Sequence, residues 1–195
     1  MSETTDLRLL RGARTRRTIL RHAVDVASLE GLTGLSLGRL ATDLDLSKSG
    51  IQTLFGTKEK LQLATAECAA VTFAEAVVSP AFTAPAGAPR LRELVERWLD
   101  YASAPLFPGG CFWAANLADF DGRPGPVRDT LTSQRRTWRA LLAAELRAAG
   151  NGDADLAAFE LDAVLLATNT ALRIGEDGAA DRARRALSRQ LTGAR

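Results

Sequence analysis

The sequence predicts an all-α fold in two parts, about nine helices split between a small N-terminal unit and a larger C-terminal one. Three observations predict it. Apolar residues recur at helical spacing along nearly the whole chain, and strand-like alternation is scarce. Serine or threonine stands just ahead of several of these runs, where helix N-caps belong. Proline and glycine gather into a few breaks and leave long patterns between them.

Taken in order, residues 1–12 read as a flexible arm. Residues 14–30 place Ile19, Leu20, Ala23, Val24 and Ala27 on one stripe and stop before Gly31, a normal helix terminator. Ser36 caps a short helix carrying Leu37, Leu40, Ala41 and Leu44. A third helix starts after Ser47 and ends near Gly56, and a fourth starts after Thr57 and runs to about Val78. Leu46 and Ile51 hold the N′ and N4 positions of a hydrophobic staple. "SPAFTAPAGAP", residues 79–89, is the clearest break, and it divides a unit of residues 13–78 from one of residues 79–195. Leu91, Leu94, Val95, Trp98 and Leu99 then mark a fifth helix. An apolar, aromatic stretch covers 111–120, "DGRPGP" stops it, and patterns at 127–149, 153–173 and 179–191 complete the set.

With 195 residues, 46% apolar and 25% charged, the chain has the composition of a globular protein with a real core. Net charge is only +2, but it is uneven. Residues 1–60 hold 10 Lys and Arg against 7 Asp and Glu, a balance of +3; residues 61–195 hold 15 against 16, a balance of −1. A basic front end is expected where only the front meets a polyanion, although an uneven solvated surface gives the same numbers.

Lysine placement is more specific. Lys48, Lys58 and Lys60 are the only lysines in the chain, and all fall in the first turns of helices three and four. A cation there opposes the helix dipole by roughly a few tenths of a kcal/mol. The placement makes sense where an anion docks, because free N–H groups, dipole and ammonium then act together. The alternative is a chance cluster on a solvated face. On helix three, Ile51, Leu54 and Phe55 face inward, while Lys48, Ser49, Gln52 and Thr53 form an acid-free outer face suited to phosphates and base edges. Two short helices joined by "DLDLS", the second with a polar face, make a helix-turn-helix.

The ordered run "ILRHAVDVASLEGLTGLSLGRLATDLDLSKSGIQTLFGTKEKLQLA", residues 19–64, resembles the tetracycline-repressor (TetR) family of one-component transcriptional regulators. "FPGGCFWAANLADFDGRPGPVRD", residues 107–129, resembles the C-terminal domain of one subgroup. The resemblance implies an N-terminal DNA-binding domain and a C-terminal ligand-binding and dimerisation domain, in a cytoplasmic homodimer joined through its last two helices as a four-helix bundle. It implies a pseudo-palindromic double-stranded operator, contacted by Ser36, Arg39, Ser47, Lys48, Ser49, Gln52, Thr53, Lys58 and Lys60. An unidentified small-molecule effector would release a repressor from it. Other readings are a ligand-independent DNA-organising or activating protein of the same fold, or a helical-bundle enzyme. The chain departs from the family pattern at four places. Asp45 stands at a left-handed position usually held by Gly. His22 takes an alanine position, Ala27 an aromatic one, and Gln52-Thr53-Leu54 replaces an aromatic-x-His.

Little else in the sequence suggests chemistry. His22 is the single histidine, which excludes most catalytic triads and any two-histidine metal site. Cys68 and Cys111 are too few for a disulfide framework. No metal-ligand spacing or phosphate loop stands out, no cofactor is expected, and no apolar run approaches the roughly 20 residues of a membrane span. Trp98, Phe112, Trp113, Asn116, Phe120 and Trp138 form either a ligand pocket or plain core, with Asn116 as a polar handle between Phe112 and Phe120. Asn169 either holds a ligand or bridges two helices.

Overall fold

The structure is a computed structural model that describes residues 3–103 and 106–192, with side chains from residue 12 onward. Among the described residues nine helices and no strand are present. The first, α1, spans Glu3–Glu30, so residues 3–12 continue the helix where an arm was expected. Gly12 is the one helix-weakening residue there, and a glycine inside an exposed helix costs only about 1 kcal/mol. The stripe of Ile19, Leu20, Ala23, Val24 and Ala27 is buried as expected. A 3-10 turn, Leu32–Gly34, leads to α2 (Leu37–Asp43) and α3 (Lys48–Phe55).

All three expected caps form. Ser36 accepts from Arg39 N at 3.0 Å, Ser47 from Gly50 N at 3.1 Å and Thr57 from Lys60 N at 3.1 Å. The turn between α2 and α3 is a Schellman closure: Asp45 has φ 52°, and Leu46 N donates to Ala41 O at 2.9 Å. Asp45 is the only non-glycine with positive φ among the described residues. At the positions of the expected Leu46–Ile51 staple, Ile51 is buried and Leu46 is 38% exposed.

Helix α4 spans Lys58–Ala81 and does not stop at the start of the proline-rich break. Its segment Ala74–Val78 widens into a π turn, in which Ser79 N reaches back five residues to Ala74 O. Pro80 offers no N–H, so an ordinary ladder would fail here; the bulge precedes the proline and the helix continues one further turn. By length and composition α4 also passes as a membrane span, contrary to the sequence reading. Alanine, valine and leucine dominate it because Leu61, Ala66, Ala69, Phe73 and Val77 are core residues packed between α1 and α7.

The C-terminal part comprises α5 (Ala88–Ser103), α6 (Phe112–Phe120), α7 (Pro126–Ala148), α8 (Ala154–Arg173) and α9 (Ala179–Thr192). The turn ahead of α5 is pinned to α7 by Glu145, which accepts from Gly87 N at 2.7 Å and Arg90 Nη1 at 3.1 Å. Helix α8 lies between α7 and α9. One continuous core joins both parts, from Ile19 to Leu187.

Asp tolerates the left-handed region better than most residues but less well than Gly. Asp45→Gly is therefore expected to stabilise the fold by about 0.5–1 kcal/mol, read as a Tm rise of about 2 °C.

Candidate nucleic-acid interface and ligand cavity

The outer face of α3 is polar and open. Ser47, Lys48, Ser49, Gln52 and Thr53 are all exposed. Gln52 Nε2 donates to Gly56 O at 2.5 Å and Thr53 Oγ1 to Ser49 O at 2.9 Å, so both side chains rest against their own helix. Lys48 opens α3, and Lys58 and Lys60 occupy the first and third positions of α4. Lys48 and Lys60 make no ion pair among the described residues. Lys58 Nζ donates to Thr33 O at 2.7 Å, which holds its ammonium beside the 3-10 turn and leaves two donors outward.

Arg39 is placed differently from the lysines. Its guanidinium grips Glu30 through both terminal nitrogens and lies 3.5 Å from Asp43 by Nε, while Asp43 Oδ2 also lies 2.9 Å from His22 Nε2. This network ties the end of α1 to α2. It holds the Glu30 carboxyl below its usual range through Arg39, and that of Asp43 through His22 first and Arg39 second. Ser36, likewise named for DNA, has its oxygen engaged as the cap of α2.

A cavity of about 240 Å3 opens between α4, α5, α6 and α7. Phe73, Ala74 and Val78 come from the π-turn region of α4, Trp98 from α5, Cys111 and Trp113 from the start of α6, and Gln134, Arg135 and Trp138 from α7. Phe73 stands edge-on to Trp113 and Trp138, with centroids 5.1 and 5.3 Å apart. Behind the wall, Arg135 Nη2 lies 2.7 Å from Asp162 Oδ2. Burial pushes the Asp162 carboxyl up and the Arg135 guanidinium down, and the charge of each partner opposes that shift. Asp162 Oδ1 and Trp138 Nε1 stay without hydrogen-bond partners. Burial also raises the Cys111 thiol, which keeps it neutral.

Helix α6 joins this cavity to the N-terminal unit. Asn116, fully buried, accepts from Leu32 N at 2.6 Å and donates to Ala27 O at 3.2 Å and Phe112 O at 2.7 Å. Asp119 accepts from Thr33 Oγ1 at 2.9 Å, and Gln62 donates to Leu32 O at 2.8 Å. The loop before α6 is equally tied. Gly109 N donates to Ser28 Oγ at 2.9 Å, Cys111 N to Asn169 Oδ1 at 2.8 Å, and Arg173 Nη1 to Pro108 O at 2.8 Å. A Cβ on Gly109 would fall 1.8 Å from Ser28 O, so only glycine lets this loop lie on α1.

A family model described as "Tetracyclin repressor-like, C-terminal domain" matches residues 87–187, more than half of the chain. The chain belongs to the TetR family. Solved structures repeat the fold. A TetR-family transcriptional regulator from Streptomyces coelicolor is similar at 19% identity and a TM-score of 0.83, over 94% of this chain and 96% of its own. One from Chloroflexus aurantiacus is similar at 23% identity and TM-score 0.76, over 93% and 94%. A regulator from Saccharomonospora viridis, solved in complex with choline, is similar at 21% and 0.74, over 92% and 96%. No curated protein matches the chain. Membership makes it a DNA-binding transcriptional regulator with a helix-turn-helix.

In this TetR-family chain Trp98, Trp113 and Trp138 reach the cavity, whereas Phe112, Asn116, Phe120 and Asn169 do not line it. Asn116 and Asn169 instead hydrogen-bond backbone groups of the fold. The i, i+4, i+8 spacing identified one face of α6, but that face meets α1 rather than the cavity. Phe73, Gln134 and Arg135 were missed; only a fold that brings α4 and α7 together reveals them. Asn116→Ala would leave the Leu32 N–H unpaired in the core, while the Ala27 carbonyl keeps its bond from Gly31 N at 3.1 Å. A loss of about 1–3 kcal/mol, the cost of one unmet buried group, is expected, read from the urea midpoint.

Proposed function

We propose that the protein is a repressor, a homodimer that grips a pseudo-palindromic operator through α3 and the start of α4 and releases it when a small molecule fills the cavity. The supporting observation is the double duty of α6. Its first turn walls the cavity through Cys111 and Trp113, and its second half holds the Leu32–Gly34 turn, whose Thr33 carbonyl fixes Lys58. A ligand that bears on α6 differently in two states of the protein shifts the equilibrium between them. Ser47, Lys48, Ser49, Gln52, Thr53, Lys58 and Lys60 are the proposed DNA contacts, and the three tryptophans the proposed effector contacts. Ser36 and Arg39 serve the interface by fixing α2, with any phosphate contact secondary to that role. We place the protein in the cytoplasm, where its operator is.

The dimer seam is proposed on α8. Leu156, Phe159, Ala163, Ala167 and Ile174 make an exposed apolar stripe along its whole length, Ile174 being 74% exposed. The outer face of α9 instead carries Arg182, Arg185 and Arg189, so α9 supports a polar rim rather than half of an apolar bundle. Phe159→Glu is expected to convert the dimer to monomer in light scattering and to lower operator affinity with it.

Choline binds the Saccharomonospora neighbour, but it does not transfer to this chain: the charged residue on the cavity wall here is Arg135, and no carboxylate lines it. The DNA reading is tested by salt titration. Lys48→Ala should lower the slope of log K against log[salt] by about one, as loss of a single phosphate contact requires. An unchanged slope removes Lys48 from the interface. A ligand-independent DNA organiser would bind many fragments alike, and an enzyme none of them.

A further inference from the structure

We infer that the cavity takes a small planar aromatic molecule bearing an acidic group, with the rings held among the tryptophans and the anion paired to Arg135. The inference rests on the proposed effector role of this cavity and names the chemical class that fits it. At about 240 Å3 the space is smaller than a typical drug-sized site and suits one or two fused rings with a short substituent. All three tryptophans of the chain, with Phe73, contribute to its wall. Such rings offer flat faces and edges for offset or T-shaped contact with another ring.

Charge then selects among aromatic ligands. Among the described residues Arg135 is the one charged side chain on the lining. Its contacts with Asp162 both leave from Nη2, an ion pair to Oδ2 at 2.7 Å and a hydrogen bond to the backbone O at 3.5 Å. A guanidinium has two edges, and Nε and Nη1 are uncommitted among the described residues. With a side chain only 11% exposed, this group sits where hydrogen bonds to a ligand anion are strong. Asp162 does not line the cavity, so it balances Arg135 from behind without repelling an incoming acid directly. A quaternary ammonium would suit the rings but would meet Arg135 with no carboxylate on the wall to offset it.

The test uses the full-length protein and three probes of one skeleton: naphthoate, naphthamide and naphthyl-trimethylammonium. Isothermal titration should show naphthoate binding roughly tenfold or more tightly than the amide, with no measurable heat from the cation. Arg135→Gln alone leaves the buried Asp162 carboxylate with only Arg139, 3.9 Å away, so the partner variant is the neutral pair Arg135→Gln with Asp162→Asn. In that variant the acid should lose its advantage while the amide binds as before. Equal affinity of acid and amide, binding of the cation, persistence of the acid preference in the neutral pair, or no binding by any probe would each overturn the inference. The same probes added to the protein on DNA from beside its own gene separate the two levels. Binding of the acid without release keeps the ligand class and removes the effector reading; release by the amide or cation keeps the effector reading and removes the class.

Discussion

The buried side-chain amide of Asn116 is the point on which both halves of this molecule depend. It sits where α1 ends, accepting from the Leu32 N–H, which has no helical partner, and adding a second bond to the Ala27 carbonyl that Gly31 N already meets. An apolar residue there would leave the Leu32 N–H stranded in a dry core, and a charged one would strand itself. The clasp therefore fixes α6 to the Leu32–Gly34 turn in one register. Everything further out inherits that register: Asp119 on Thr33, Gln62 on Leu32, and Lys58 on the Thr33 carbonyl.

Around this point the two proposed functions divide by polarity. The proposed DNA-facing end carries exposed cations at helix starts, where each costs a little in the free protein and would gain if a phosphate docked. The network of Glu30, Arg39, Asp43 and His22 does the opposite job: it consumes its own charges to hold α2 against α1. The cavity end presents aromatic surface with one guanidinium, its countercharge kept behind the wall on α8. The π turn in α4 belongs to both ends, since the helix that begins with Lys58 and Lys60 widens where Ala74 and Val78 meet the cavity.

What the sequence revealed follows a physical line. Local rules were readable: the caps Ser36, Ser47 and Thr57, the buried stripe of α1, the left-handed Asp45 and the position of each lysine depend on neighbours within one turn. Facts about what lies opposite a face were not. Asn116 looked like a polar handle because spacing says which residues share a side, not what covers it. Gly109 gave no sign that the backbone of Ser28 passes against it, and Pro80 read as a stop although an upstream bulge lets the helix pass. Leu46 fitted a staple by position, yet it stays 38% exposed.

The arrangement of the tryptophans has a practical corollary. Because every indole in the polypeptide borders the same cavity, ultraviolet emission from the native protein originates in one compartment, free of background from remote chromophores of that kind. The molecule is thus its own optical gauge: a change in brightness or colour on adding a compound reports events in that compartment, whereas contact with nucleic acid at the far end alters the signal only by moving the walls.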